Sequence, residues 1–307
     1  LLLAGERDDQ APAANTTARS PLPLQLLVAA ALAAGVALVS GVLPRASWPP
    51  LYLAGGALVA ASGHRAAQRY GSEQVAGWFA AGVLFAAAVG TGIELLQLLR
   101  IDQRLGGWIS VVGGSAGRRL FGDLNQPNHQ STLVSLGVAA AVYFASRSRS
   151  MLGWIAAVAA IVWLELGVVM TGSRTGLIQV GFVALTGVLL ALENRHGTAR
   201  RTLLVALLLV PVLLALQAGL AAADHAFGFG LDNAVGRMQA GGDGHWRMAM
   251  WRHAWQMFVD HPWFGVGWSG FGWAQFTQLE RLGISVEVAN NAHNLVLDQL
   301  AKTGIVG

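Results

Sequence analysis

The sequence contains no cysteine and little charge. Of its 307 residues, 12% are charged and 54% are hydrophobic, whereas an average soluble domain is roughly 25% charged. The absence of cysteine excludes disulfides, thiolate metal sites and cysteine nucleophiles. The low charge argues against an ordinary cytosolic enzyme, and the mean hydropathy of +0.51 favours a polytopic helical membrane protein.

Lysine is almost absent as well. Lys302 is the only lysine, and every other basic residue is an arginine. Guanidinium groups suit flat, bidentate contacts with phosphate or carboxylate, but GC-rich coding would produce the same bias. The composition fits either explanation.

Several motifs of soluble enzymes are missing. The sequence has no HExxH pattern and no DxD pair of the kind that holds a metal for sugar-nucleotide transfer, so we expect a metal-independent reaction without a cofactor. Residues 265–270 match GxGxxG, but no strand precedes them and no helix opens from them. We therefore predict a tight turn there and not a dinucleotide site. No nucleic-acid partner is expected.

Apolar segments divide the chain. Residues 1–21 predict a polar leader or loop, and residues 22–223 predict a transmembrane bundle of about seven segments. These are 22–43, 51–62, 74–98, 129–146, 151–170, 176–192 and 203–223. Most are about as long as a membrane span requires, but 51–62 either recruits flanking residues such as Trp48 or is re-entrant.

Arginines between the segments predict their orientation. The loops 63–73, 147–150 and 193–201 are dense in arginine, which is typical of the cytoplasmic side. The loops 99–128, 171–175 and 224–292 then face the periplasm, although they also contain many arginines. Since these are not needed for orientation, we expect the outer face to bind something anionic.

The 224–292 segment is too long for a connector and holds more than half of the 11 tryptophans, so we predict a structured periplasmic loop. Residues 246–259 place apolar side chains three and four positions apart, which predicts an interfacial helix with Arg247 on its apolar face. Residues 293–307 read as the start of a further transmembrane helix that carries a His-Asn motif. We therefore expect the chain to be a fragment of a larger protein.

Two carboxylates lie inside apolar segments. Glu94 and Glu165 are each about five residues, or roughly 7 Å, below the predicted outer ends. Buried carboxylates are costly in a membrane and often mark a site, with outer arginines such as Arg174 or Arg100 as expected partners. The alternative is an ion pair that joins two helices.

Three outer segments carry a family resemblance: GDLNQPNHQSTL (residues 122–133), MTGSRTGL (170–177), and the stretch 247–273 running toward 290–307. Together they resemble the O-antigen ligase superfamily. The QPN box is most similar to that of the bacterial protein O-oligosaccharyltransferases, the pilin glycosylation ligases. The resemblance covers about residues 120–307. It implies an all-α, polytopic membrane bundle of GT-C-like type with a large periplasmic loop.

The resemblance implies en bloc transfer of a preassembled glycan from a polyprenyl (undecaprenyl) diphosphate carrier. The expected acceptor is a Ser or Thr hydroxyl of a periplasmic protein, at the outer face of the bacterial inner membrane and in contact with its lipids. An O-antigen ligase would instead use the lipid A core, and an O-antigen polymerase the growing glycan. A transporter or flippase is a more distant alternative, but it predicts pseudo-symmetric halves that the sequence does not show.

An inverting transfer needs a base for the acceptor proton and cations for the departing diphosphate. We expect His293 to be the base, in the first turn of a helix capped by Asn290 and Asn291. Arg174 and Arg247 are the preferred diphosphate ligands, because a planar guanidinium can chelate phosphate oxygens.

Further residues are expected at the same site, between the bundle and the 224–292 loop. Asn128 follows Pro127 at a helix start, where it would bind phosphate or sugar, or alternatively act as an ordinary cap. The second choices for diphosphate binding are Arg119, Arg237 and Arg252, and the expected supporting residues are Gln126, Asn294, Glu165 and Glu94.

Overall fold

The structure is a computed structural model that describes residues 22–39, 48–114, 117–193, 199–232, 234, 244–282 and 288–306. Within these ranges the chain forms ten α-helices, which confirms the all-helical prediction. They are α1 (Leu22–Val39), α2 (Trp48–Tyr70), α3 (Ser72–Leu98), α4 (Pro127–Arg147), α5 (Met151–Met170), α6 (Arg174–Glu193), α7 (Ala199–Phe227), α8 (Gly244–Asp260), α9 (Phe271–Leu282) and α10 (Leu295–Thr303).

Residues 72–244 form one compact unit, the bundle of α3 to α7. Helix α4 packs against α3, α5 and α6, and α7 packs against α5 and α6. The core is aliphatic and includes Val134, Val138, Leu164 and Leu209. Close packing of these side chains between the helices fixes the rotation of each helix about its own axis.

Small residues bring the helices of this bundle close together. A Cβ added to Gly137 would lie 2.4 Å from that of Ala87, and one added to Gly187 would lie 2.9 Å from that of Ala206. Small residues at such crossings are typical of membrane helices, whose association depends on close packing because water does not drive it.

Four helices of the described residues are long and apolar enough to span a membrane, namely α3, α5, α6 and α7. The described parts of the other three predicted segments also form helices. The 51–62 run lies within α2, whose 23 residues begin at Trp48 and rise roughly 34 Å. The helix thus includes Trp48, and whether it spans the membrane or is re-entrant stays a prediction.

Residues 99–114, 117–126, 171–173 and 228–232 lie at one end of the bundle, which we call the loop end. The N–H of Leu120 donates to the Met170 carbonyl at 3.4 Å, and the N–H of Arg118 donates to the Gly230 carbonyl at 2.9 Å. The first two loops predicted to share a side of the membrane therefore lie together with residues 228–232 of the third. Which side they face remains a prediction.

The buried side chain of Gln97 anchors the 99–126 loop. Its amide donates to the carbonyls of Ser110 and Gly122 at 2.9 and 2.6 Å. Its Oε1 accepts from the N–H groups of Phe121 and Gly122. One side chain at the end of α3 thereby satisfies backbone groups that the irregular loop would otherwise leave unpaired in the interior.

Arg118 is a second anchor of the loop end. Its guanidinium is buried and donates to the carbonyls of Gln97 at 2.6 Å and Phe229 at 3.2 Å. Burial, aided by the charge of Arg100, lowers the pKa of Arg118 from its ordinary value, and Asp102 opposes this effect. This arginine of the predicted outer face therefore has an architectural role.

The second unit comprises residues 1–71 and 245–307. Within it α1 and α2 pack against each other. Helices α8, α9 and α10 share a small core that contains Met250, Met257, Phe271, Ala292 and Ala301. The helix predicted over 246–259 is thus present as α8, and its position at the membrane interface stays a prediction.

The GxGxxG stretch forms a turn between α8 and α9, as predicted. Gly265 and Gly267 have φ angles of +64° and +84°, which glycine adopts without strain. The N–H groups of Val266 and Gly267 donate to the carbonyls of Ala301 and Lys302, at 2.8 and 2.9 Å. The turn thereby satisfies carbonyls that the end of α10 leaves unpaired.

The buried face of α8 differs from the prediction. Ala254 is buried as expected, but His253 and Met257 share its face, whereas Arg247 and Trp255 are exposed. Arg247, which the sequence places on the apolar face, is thus exposed on α8. The spacing of apolar residues is compatible with more than one buried face in a helix this rich in tryptophan and methionine. Packing against α9 and α10 determines which face of α8 is buried.

Candidate active site

His293 occupies an unusual backbone position. Its φ angle is +50°, in the left-handed region that few non-glycine residues adopt. Such a conformation persists only where surrounding interactions hold it, and it is often found at functional sites.

The segment around His293 is held on both sides. The indole N–H of Trp251 in α8 donates to the Ala292 carbonyl at 3.1 Å. The N–H of Ala292 donates to Asp298 Oδ1 at 2.9 Å, and Lys302 donates to Asp298 Oδ2 at 2.8 Å. The chain's only lysine therefore neutralises the carboxylate that positions the residue before His293.

The start of the last helix differs from the prediction. Helix α10 begins at Leu295, and the side chain of Asn294 accepts from the N–H groups of Val296 and Leu297. His293 therefore precedes the cap and does not lie in the first turn, and the expected caps Asn290 and Asn291 lie further upstream. Pattern reasoning placed the boundary too early because three asparagines in this stretch are all good capping residues.

The predicted apolar helix from residue 293 is also shorter than expected. It ends at Thr303, and the N–H of Ile305 then donates to the Pro262 carbonyl at 2.9 Å. This contact joins the turn after α10 to the turn after α8.

The side chain of His293 is accessible. It is exposed, and its ring centroid lies 5.3 Å from that of Trp246 at an interplanar angle of 54°. Arg247 follows Trp246 in the first turn of α8 and is also exposed. A fixed backbone thus presents an imidazole to the surface beside an aromatic ring, an arrangement suited to proton transfer with a bound hydroxyl.

A second cluster lies at the loop end of the 72–244 unit, and we call its members Arg119, Asn128, Thr171 and Ser173 the Arg119 cluster. Arg119 Nε donates to the Thr171 carbonyl at 3.1 Å, and its Nη2 donates to Asn128 Oδ1 at 3.0 Å. The Ser173 hydroxyl donates to the same oxygen at 3.0 Å. Because Arg119 can only donate, these contacts orient the Asn128 amide with its Oδ1 toward the cluster.

Two helices begin at this cluster. Asn128 is the second residue of α4, which starts at Pro127 after Gln126, whose side chain makes no cap bond. Helix α6 starts at Arg174, and the N–H of Gly176 donates to the Ser173 hydroxyl at 3.4 Å. Two helix N-termini, each with a partial positive charge, therefore add to the arginines and favour an anionic ligand.

Arg174 is half-buried at the start of α6. It directly follows Ser173, so the structure places it beside the Arg119 cluster. Asn128 Oδ1 accepts from Arg119 and Ser173, and no described contact makes the Asn128 side chain an ordinary cap of α4. The binding of phosphate or sugar by Asn128 stays a prediction.

The two membrane carboxylates do not have the expected partners. Glu94 and Glu165 are fully buried, and neither makes an ion pair or a hydrogen bond of good geometry to any described residue. The Gln130 amide lies beside the Glu94 carboxylate. The predicted pairing with Arg174 or Arg100 is therefore wrong, because the side chains that surround these carboxylates come from neighbouring helices and not from the loop end.

Two other predicted residues remain, Arg252 and Arg237. Arg252 is exposed on α8, and Arg237 lies outside the described residues. Within the part of the chain that the structure describes, no group of three or more His, Asp or Glu side chains lies close enough together to hold a metal ion.

Two family models match the chain. Residues 159–307 match the model described as O-antigen ligase, and residues 120–145 match the model described as protein glycosylation ligase. Residues 159–307 belong to the O-antigen ligase family. A search of curated proteins and a search of solved structures found no match.

The family assignment confirms the resemblance recognised in the sequence. The chain is a multi-pass membrane glycosyltransferase of the O-antigen ligase and protein glycosylation ligase type. The ligase match includes Arg174 and His293, and the glycosylation ligase match includes Gln126 and Asn128. The family implies a lipid-linked glycan donor and an acceptor.

Sequence reasoning missed several residues of the two clusters. Thr171 and Ser173 lie in the MTGSRTGL box, but nothing in the box indicates that they bind Arg119 and Asn128. In the sequence Trp246 is one of 11 tryptophans, and nothing distinguishes it as the neighbour of His293. No sequence pattern points to Asp298 as a residue that holds the segment before His293. Its partners are a backbone N–H and Lys302, in a segment whose fold the sequence leaves open.

Proposed function

We propose that the enzyme transfers a preassembled glycan en bloc from polyprenyl diphosphate to a serine or threonine hydroxyl of a periplasmic protein. The observation that carries this proposal is the match of residues 120–145 to the protein glycosylation ligase model, which includes the QPN box and most of α4. The proposed location is the bacterial inner membrane, with the chemistry on its periplasmic side.

In the proposed reaction His293 acts as the general base. Its neutral imidazole takes the proton of the acceptor hydroxyl while the acceptor oxygen attacks the anomeric carbon of the glycan. The bond between that carbon and the diphosphate oxygen breaks, and the electron pair leaves with the polyprenyl diphosphate. The exposure of the imidazole supports this role, since the acceptor must approach it from outside.

Arg174 and Arg119 are proposed to neutralise the departing diphosphate. The support is their position at two helix N-termini, where charge-assisted contacts to phosphate are favoured. The Asn128 amide nitrogen makes no hydrogen bond to a described residue and is proposed to donate to phosphate or sugar. Arg247 is proposed as a further ligand because it is exposed beside Trp246.

A second candidate function differs only in the acceptor. The match of residues 159–307 to the O-antigen ligase model favours transfer of the same type of donor to the lipid A core. A repeat-unit polymerase would transfer it to a growing glycan.

Mass spectrometry of periplasmic proteins and lipopolysaccharide, from cells with and without the intact gene, separates these functions. We expect a Ser- or Thr-linked glycan to disappear from periplasmic proteins when the gene is removed. Loss of long lipopolysaccharide with unchanged protein glycosylation would instead identify the lipid ligase. Shortened glycans on an otherwise normal carrier would identify a polymerase.

The side of the membrane is testable because the chain lacks cysteine. Single-cysteine variants Arg174→Cys and His293→Cys should both react with a membrane-impermeant thiol reagent added to the periplasmic side of spheroplasts. Arg200→Cys, at the opposite end of the bundle from Arg174, should react only after the membrane is permeabilised. Labelling of positions 174 and 293 from opposite sides would contradict the proposed mechanism.

A further inference from the structure

A large groove lies in the 72–244 unit, at the end of the bundle opposite the Arg119 cluster. Its volume is about 1000 Å³. It is bounded by α4, α6 and the start of α7, and none of the candidate site residues lines it. The groove therefore needs an explanation separate from glycan transfer.

Most of the groove is apolar along its length. Val142 of α4 and Phe182, Val183 and Leu190 of α6 line it. Its lining on α6 extends from Phe182 to Glu193, which rises roughly 16 Å along the helix axis. That length is close to half of the hydrocarbon thickness of a bilayer, about 30 Å in all. The groove therefore has the depth of one leaflet.

The charged side chains that line this groove lie only at its end farthest from the Arg119 cluster. Arg147 and Arg149 are there, with the carboxylate of Glu193 on the facing helix. Arg147 is already engaged, because it pairs with Glu73 and lies over the Tyr143 ring at 4.9 Å. Arg149 is exposed and makes no hydrogen bond or ion pair to any residue that the structure describes. One guanidinium thus remains for an external anion.

We propose that this groove binds an anionic phospholipid, with an acyl chain along α6 and the phosphate beside Arg149. The charge at one end and the apolar lining of one-leaflet depth match the two parts of such a molecule. A soluble anion would gain nothing from Phe182 and Leu190, and a zwitterionic lipid would gain less from Arg149. The inference does not depend on the proposed glycan acceptor.

Native mass spectrometry of the full chain, purified in detergent and titrated with phosphatidylglycerol or phosphatidylcholine, tests the proposal. We expect phosphatidylglycerol to bind more tightly, and Arg149→Gln to weaken its binding about fivefold, to the level of phosphatidylcholine. Ala139→Trp should weaken both lipids by filling the groove. The matched controls Arg200→Gln and Leu136→Trp change an arginine and an α4 residue outside the groove, and they should bind as the unmodified protein does.

Melting temperatures measured without lipid show whether each variant is folded, and Arg149→Gln changes an exposed residue after the end of α4. Equal binding of the two lipids, or unchanged binding by both groove variants, would overturn the proposal. Competition by inorganic phosphate as effective as that by phosphatidylglycerol would show an anion site without a lipid. Displacement by polyprenyl diphosphate at equal concentration would show that the groove belongs to the donor.

Discussion

The variant His293→Ala is expected to lower the rate of glycan transfer by about 10²–10⁴-fold, the usual contribution of a general base. The imidazole is exposed on a left-handed residue whose neighbours are fixed by Trp251 and Asp298. Alanine removes the proton acceptor and leaves these backbone contacts in place. The measurement is single-turnover transfer with purified enzyme, lipid-linked donor and acceptor.

Two comparisons separate catalysis from folding in this experiment. His261→Ala removes an exposed histidine in the turn after α8, and it should transfer glycan at the normal rate. Donor binding by His293→Ala should also be normal, because the imidazole is proposed to contact the acceptor. A normal transfer rate in His293→Ala would refute the assignment of the base.

The second large effect is expected from Arg174→Ala. Loss of one charge-assisted hydrogen bond costs about 1.5 to 3 kcal/mol, which corresponds to a decrease of roughly tenfold to 150-fold in kcat/KM for the donor. Arg174→Lys should recover part of this loss, since lysine keeps the charge but lacks the planar, bidentate geometry. Arg247→Ala should weaken donor use in the same direction.

Arg200→Ala is the matched control for Arg174→Ala, since Arg200 is an exposed arginine at the opposite end of the same bundle. It should leave the donor dependence unchanged. If Arg174→Ala also shows unchanged donor dependence while Arg119→Ala loses activity, the diphosphate is bound by Arg119 and Arg174 has no part in the site.

The helices of the bundle were largely predictable because their signal is local. The run 151–170 coincides with α5, and 74–98 differs from α3 only at its first residues. Each helix satisfies its own backbone hydrogen bonds, so an uncharged apolar stretch of sufficient length is enough to predict it. Helix α7 extends the predicted 203–223 run to Ala199–Phe227, beyond the purely apolar residues.

Tertiary contacts decided the details of the site. Whether Asn291 or Asn294 caps the last helix depends on Asp298 and Trp251, which hold the preceding segment. Whether Asn128 caps α4 depends on Arg119 and Ser173, both outside that helix. Such choices differ by only a few hydrogen bonds, so local pattern does not determine them.

The sequence by itself determined that this is a helical membrane protein, because the length of its apolar segments is a property of the chain alone. Three short boxes also determined which family of transferases it belongs to, because the order of motifs is likewise a property of the chain alone. Only the tertiary structure decided which arginines are architectural, as Arg118 is, and which lie at paired helix N-termini, as Arg119 and Arg174 do. The physical reason is that a guanidinium takes its role from the carbonyls or ligands within its reach, and folding brings those together from distant parts of the sequence.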